Sequence, residues 1–303
     1  MKDKRQLNWD KWIRCGEYRI ENIGGRDYIR PVPESNYIPY DVNNLQRRKG
    51  SRKPDENNLV HSLLTMDTSN NLAILDFANR FGLLGLLQHK YLEPQLALIN
   101  GEECYFVPER DGDTLGDVEE ISRIYRLDVD EFINDGHYKA KRTMSEPLEE
   151  FKEEVSDFQL TARFVKDIKK AEEGISGPLR ALLRSSEDLK DDAKKDTSDL
   201  IIVAKHITMV RLSYGNRGIS RTVGQGEDGK WQIHWTFGSL LSAAYFFLTQ
   251  DLAGNFWLGE CPRCSNLYLS SVGSQVFCSR KCEDATRKAN ARKKRTEVQT
   301  NGR

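Results

Sequence analysis

Residues 261–295 read CPRCSNLYLSSVGSQVFCSRKCEDATRKANARKKR. Four cysteines stand in this stretch, Cys261, Cys264, Cys278 and Cys282, with the spacing C-x2-C-x13-C-x3-C. A Cys-x-x-Cys pair on a tight turn aims both sulfurs at one ion about 2.3 Å away. Pro262 and Arg263 fill that turn. Apolar and aromatic residues flank it, Phe256 to Leu258 before and Leu267 to Leu269 after, and predict two short strands paired across a knuckle. The second pair fits the first turn of a helix, because residues four apart share a helical face. Ser279 is placed to cap that helix, and Glu283 to Lys294 contain no Gly or Pro to stop it. A hairpin knuckle followed by a ligand-bearing helix is a treble-clef-like zinc finger. Four thiolates fill a tetrahedral shell and leave no place for water, so one structural Zn2+ is the expected cofactor, held by Cys261, Cys264, Cys278 and Cys282. Disulfides are the poorer reading, because the N-terminus carries no apolar stretch of a secretory signal.

Outward from this module the chain changes character. It has 303 residues and 46 Lys/Arg against 46 Asp/Glu, a net charge of zero. The balance is uneven. Residues 101–200 carry 16 basic against 27 acidic side chains, and residues 201–303 carry 15 against 7. Such asymmetry speaks of partners more than the overall balance does. No run approaches the ~18 apolar residues that a membrane span needs, so a cytoplasmic protein without a membrane role is expected.

Residues 1–255 predict a mainly α body with small β elements, an α+β fold, and residues 256–303 a separate zinc finger with a basic C-terminal helix. Alternation around Gly24-Gly25 in residues 17–32 predicts a β-hairpin. Residues 43–58 are polar and basic and read as a loop. Ser69 is placed to cap a helix through about Gln88, interrupted by Gly82 and Gly85. A strand near 103–108 and a helix near 115–134 follow. Leu148, Phe151, Val155, Phe158, Ala162, Val165 and Ile168 recur at three and four and predict one long helix over 146–173, with Pro147 in its first turn. Helices near 178–190 and 196–212, a Gly-rich loop over 213–229, a strand over 231–235 and an apolar helix over 238–252 complete the body.

The body offers no recognisable catalytic pattern. The five His fall in no ligand or acid–base spacing, and there is no Walker A sequence, nucleophile elbow or HExxH. Cys15 and Cys104 stand alone and read as small buried apolar groups. A non-enzymatic protein is therefore expected ahead of a metal-dependent nuclease that uses scattered carboxylates of the body. The proposed terminal helix carries Arg287, Lys288, Arg292, Lys293, Lys294 and Arg295, with Arg280 and Lys281 at its start. Lys288, Arg292 and Arg295 share one face at 100° per residue, and Lys281, Arg287 and Lys294 are assigned to another. Three roles are open to it: contact with the phosphates of a nucleic acid, docking on an acidic protein surface, or a solvated tail. Nucleic acid, DNA before RNA, is the partner this charge favours.

The same stretch resembles the CGNR-type zinc fingers of bacterial proteins. Phe277-Cys278-Ser279 matches their aromatic-Cys-Ser step, Leu267-Tyr268-Leu269-Ser270 takes the place of their Phe-x-Asp-x-Ser-like strand, and Arg287, Arg292 and Arg295 match the basic helix in character. Where the family carries Gly-Asn-Arg after the fourth Cys, this chain has Glu283-Asp284-Ala285. Leu75-Asp76-Phe77-Ala78-Asn79-Arg80 is similar to the Leu-Asp-Phe-x-Asn-Thr signature of the helical, ABATE-like N-terminal regions of such proteins. The resemblance implies a bacterial DNA-binding transcriptional regulator whose larger domain senses a ligand.

Overall fold

The computed structural model describes residues 11–32, 35–45, 58–86, 95–99, 102–106, 145–225, 231–254, 256–270 and 274–301. It is mainly helical with small antiparallel sheets, an α+β architecture. The strands are β1 (Lys11–Cys15), β2 (Tyr18–Ile23), β3 (Arg26–Pro31), β4 (Tyr37–Asp41), β5 (Gln95–Ile99), β6 (Glu102–Phe106), β7 (Glu146–Pro147), β8 (Ile219–Gln225), β9 (Trp231–Phe237), β10 (Trp257–Glu260) and β11 (Leu267–Ser270). The helices are α1 (Leu59–Thr65), α2 (Asn71–Phe81), α3 (Leu148–Glu172), α4 (Gly177–Arg184), α5 (Thr197–Gly215), α6 (Leu240–Ala253) and α7 (Arg280–Asn301). The helix expected near 115–134 lies outside the described residues. No helix among the described residues is long and apolar enough to cross a membrane.

The chain divides into two compact units of interleaved segments. One comprises residues 1–46, 66–156 and 212–247, and the other 47–65, 157–211 and 248–303. The cysteine stretch shares its unit with α1, α4 and most of α3 and α5.

In the first unit, β2 and β3 form the expected hairpin, and β7 adds a third strand at Tyr28 and Ile29. Gly24 and Gly25 have φ of 61° and 84°, the left-handed pair that a two-residue hairpin turn requires. β1 pairs with β4. Helix α2 starts from Asn70 rather than Ser69, because the Asn70 side chain accepts from the Leu72 N–H at 3.0 Å. It stops at Phe81 instead of running to Gln88, and the chain then turns through Gly82 to Gly85. Phe77 packs on Phe81 (ring centroids 4.9 Å apart) and edge-on against Phe151 of α3 (5.9 Å). The Gly-rich stretch expected as a loop over 213–229 contains β8, whose residues pair with β9 from Ile219 opposite Phe237 to Gln225 opposite Trp231. Pairing with an apolar neighbour overrides its weak local preference. The start of α6 is closed by Ser239, whose hydroxyl accepts from the Ser242 N–H, and Leu240 to Tyr245 are buried without interruption.

In the second unit the core joins α3, α4 and α5 through Phe164, Ile168, Ala171, Leu179, Leu183, Leu200 and Ala204. Two details of α3 differ from the sequence reading. Pro147 belongs to β7 and the helix opens at Leu148. Phe164 joins the buried face, while Val165 is half-buried, and Lys166 and Asp167 are buried beside Ile168.

Candidate metal centre

β10 and β11 pair antiparallel, Trp257 opposite Ser270 and Glu260 opposite Leu267, and Cys261 to Cys264 form the turn between them. The turn is closed twice. The Ser265 N–H donates to the Cys261 carbonyl at 2.8 Å, and the Cys261 N–H donates to the Asn266 carbonyl at 2.9 Å. Ser265 adopts φ 58°, a left-handed conformation uncommon outside Gly, which swings the chain back into β11. Gly259 lets β10 approach the Tyr268 ring: a Cβ there would lie 2.4 Å from the ring. The Tyr268 hydroxyl donates to the Gln275 carbonyl at 2.6 Å, and the Gln275 side-chain amide donates to the Phe277 carbonyl at 2.9 Å. These bonds carry the chain from the hairpin to Cys278. Ser279 caps α7 through the Cys282 N–H, as the sequence predicts. Cys278 itself precedes the helix, and Cys282 lies in its first turn.

The four sulfurs converge. All ligand atoms lie within 4.8 Å of one another. Cys264 Sγ is 3.5 Å from Cys278 Sγ and 3.8 Å from Cys282 Sγ, and Cys278 and Cys282 are 3.6 Å apart. A tetrahedron with metal–sulfur bonds of about 2.3 Å has edges of roughly 3.8 Å. These separations are those of thiols around a shared ion, far longer than the ~2.05 Å of a disulfide, and the cysteines are free. The residues present therefore fit one metal ion, and the donor set is all sulfur.

Their protonation is arranged for it. Burial works against ionising Cys261, but the backbone amides of Cys278, Arg263 and Cys264 and the Cys264 side chain outweigh it and bring that thiol down to about 6. Burial pushes Cys278 and Cys264 up; the neighbouring sulfurs add to the rise at Cys278, while at Cys264 those of Cys261 and Cys282 raise it and that of Cys278 opposes them. Ionisation is thus eased at Cys261 and opposed at Cys264 and Cys278, where a cation must displace the proton, the general condition for pH-dependent metal uptake. Among the described residues no other group of His, Cys, Asp and Glu is spaced to hold a metal.

The basic residues expected to meet a partner all lie on α7. Arg280, Lys281, Arg287, Lys288 and Arg292 are exposed. Lys293, Lys294 and Arg295 are placed on the same helix. Arg287 pairs with Glu283 at 2.6 Å, and Arg280 approaches Asp284 at 3.9 Å. The helix changes one assignment. Seven residues, two turns, separate Lys281 from Lys288, so Lys281 joins the Lys288–Arg292–Arg295 face instead of the Arg287–Lys294 one. Cys15 is buried as expected; Cys104 is in β6, and His206 is exposed on α5.

A third constellation escapes the sequence reading. Glu146 is buried, and its carboxylate accepts from the N–H groups of Leu84 (2.9 Å), Gly85 (2.5 Å) and Leu86 (2.9 Å). Burial pushes this carboxyl up to about 7 against the opposing pull of those amides. Asn79, within the Leu75–Arg80 signature, accepts from the Tyr18 N–H through its side chain at 2.7 Å and from the Arg14 guanidinium through its carbonyl. Both serve the packing of the first unit. For Glu146 the sequence signal was the pair of glycines at 82 and 85, and for Asn79 the signature itself. No known protein family, no curated protein and no solved structure matches this chain.

Proposed function

We propose that the chain is a zinc-dependent nucleic-acid-binding protein of the CGNR type, a bacterial cytoplasmic transcriptional regulator that engages DNA before RNA. The observation that carries this reading is a basic helix rooted in the metal centre: Lys281, Lys288, Arg292 and Arg295 recur on one face of α7, and Cys282 in its first turn is a metal ligand candidate. All-sulfur donors at single-ion separations favour Zn2+ among biological metals, and the hairpin-then-helix order of the ligands supports the treble-clef reading. With four protein ligands the ion supplies rigidity and leaves no open position for substrate. The chain's own residues do the rest. Ser279 fixes the start of α7, Cys282 anchors it to the knuckle, and the basic face spans about 21 Å along the helix axis at 1.5 Å per residue. Such a rod enters a major groove about 12 Å wide and meets phosphates on its walls.

Four phosphate contacts predict that the logarithm of affinity for duplex DNA falls with the logarithm of salt at a slope of about −3.6. Arg292→Glu with Arg295→Glu is expected to abolish binding, measured by salt-titrated anisotropy on duplex DNA and RNA; unchanged affinity in the double variant refutes the reading. The second reading is docking of an acidic protein segment. It is supported by the Arg287–Glu283 and Arg280–Asp284 pairs, in which carboxylates already engage the guanidinium groups of this helix. Retention of a protein, with no DNA binding at any salt, would select it. A nuclease would instead degrade nucleic acid in a metal-dependent way.

A further inference from the structure

The hairpin that bears Cys261 and Cys264 is gripped by a buried charge from helix α3. Lys166 is only 8% exposed. Its ammonium donates to Glu260 Oε2 at 2.5 Å and lies 3.4 Å from Asp167 Oδ1, close enough to pair in charge without an aligned hydrogen bond. An ammonium in such a place is strongly disfavoured unless it is paired. Its partner Glu260 is the residue immediately before Cys261. One turn further along α3, the Lys169 ammonium sits 3.7 Å over the Trp257 ring at the opposite end of β10. Both ends of this four-residue strand are therefore held by α3.

A second set of bonds reaches the knuckle from α1. The Asn266 carbonyl accepts the Cys261 N–H, and the Asn266 side-chain amide donates to the Thr65 carbonyl at the end of α1 at 3.1 Å. The Gln159 side chain on α3 donates to the Leu63 carbonyl of α1 at 2.8 Å. The polar links from α3 to β10, from α1 to the knuckle and from α3 to α1 close a ring. Two of its members, Glu260 and Asn266, sit next to or directly hydrogen-bond Cys261.

We propose that Lys166 is a positioning residue for the ligand Cys261, and that metal occupancy and the docking of α1 and α3 on the knuckle form a single coupled equilibrium. The proposal rests on the four-thiolate reading of the centre. Linkage makes the coupling reciprocal: the factor by which an intact Lys166–Glu260 pair raises metal affinity is the factor by which the ion strengthens that contact. Partners that orient metal ligands typically contribute about 10- to 100-fold in affinity.

The test uses the full chain. Zinc affinity is measured by competition with a chromogenic chelator for the unsubstituted protein, Lys166→Met, Glu260→Gln and Lys205→Met. Lys205 pairs with Glu172 on the exposed surface and serves as the control. Hydrogen exchange over residues 59–65 and 157–172 is followed with zinc and after EDTA treatment. Expected are a roughly 10- to 100-fold loss of zinc affinity in Lys166→Met and in Glu260→Gln, no change in Lys205→Met, and faster exchange over 59–65 after EDTA. Zinc bound by the unsubstituted chain, with affinities of both pair variants within about twofold of it, would overturn the proposal and leave the four-thiolate reading standing. Exchange over 59–65 insensitive to EDTA would do the same. An unsubstituted chain that binds no zinc overturns the reading and the proposal together. Should Lys166→Met fail to fold, Glu260→Gln and the exchange measurement decide.

Discussion

The knuckle of residues 257–282 and the Glu146 clamp of the other unit both gather groups able to carry negative charge, and they do so in opposite ways. The knuckle gathers four sulfurs whose charge only a cation can balance, and its backbone amides tune one of them, Cys261, toward ionisation. The clamp takes a single carboxylate and surrounds it with three amides from one loop, with no cation among the described residues hydrogen-bonded to it. The first solution depends on something the solution must supply. The second is complete within the chain, but it leaves a titratable group buried with its affinity for a proton raised to about 7. The contrast teaches that one unit gathers side chains arranged for a cation while the other encloses a titratable carboxyl in backbone amides.

Breaking the knuckle is expected to have the largest effect. Structural zinc contributes on the order of 10 kcal/mol to small domains. Cys261→Ser with Cys278→Ser, or chelation of the unsubstituted protein, is expected to remove the metal and the exchange protection of residues 257–282. Elemental analysis and hydrogen exchange read this directly, and retained protection without metal would erase the contrast. The clamp comes next. Glu146→Ala leaves three N–H groups without their acceptor, at about 1–3 kcal/mol for each one that stays buried, measured by denaturant unfolding.

The pH dependence sharpens the same point. A carboxyl whose folded affinity for protons exceeds its unfolded one makes the fold most stable below the unfolded value near 4.5, with stability lost as pH climbs through about 7. Unfolding midpoints between pH 4.5 and 7.5 are expected to fall more steeply for the unsubstituted protein than for Glu146→Gln. Equal slopes would show that Glu146 does not carry this term.

Two glycines offer a matched pair of smaller perturbations. A Cβ at Gly259 would meet the Tyr268 ring at 2.4 Å, and one at Gly215 would meet the Tyr245 ring at 2.2 Å. Each Gly→Ala change is expected to cost roughly 1–3 kcal/mol by overpacking. Only Gly259→Ala is expected to weaken zinc binding as well, which chelator competition distinguishes. The smallest effect belongs to Lys281→Ala, which is expected to lower the DNA salt slope by about one and leave folding untouched. A slope that stays the same would show that Lys281 makes no phosphate contact.

Legibility differed between these regions for a physical reason. In the knuckle, every ligand lies within 22 residues, and ligand spacing is local information. The strands, the cap at Ser279 and the helix through Lys294 follow from apolar flanks, a short polar side chain and an absence of breakers. Helices α3 and α6 were legible in the same way, from periodicity and unbroken apolar content. The clamp had no such signal. Glu146 and Leu84 are 62 positions apart, and a Glu before a Pro and a long helix looks like any surface acid. Lys166 was hidden among the charges of α3, because the apolar repeat says which residues face a core but not which lysine will be drawn in by a carboxylate 94 residues away. β8 was hidden because its pairing with β9, not its own composition, makes it a strand.

What the sequence by itself determined was therefore local: a cysteine cluster of metal spacing, a basic helix behind it, a two-glycine hairpin and a mainly helical remainder, all set by interactions within about one or two turns of chain. What only the tertiary structure decided was which distant groups share a buried space, Glu146 with the Gly82–Gly85 loop and Lys166 with Glu260, because the cost of burying a charge is settled by the partner it meets, and that partner is chosen when the whole chain closes on itself.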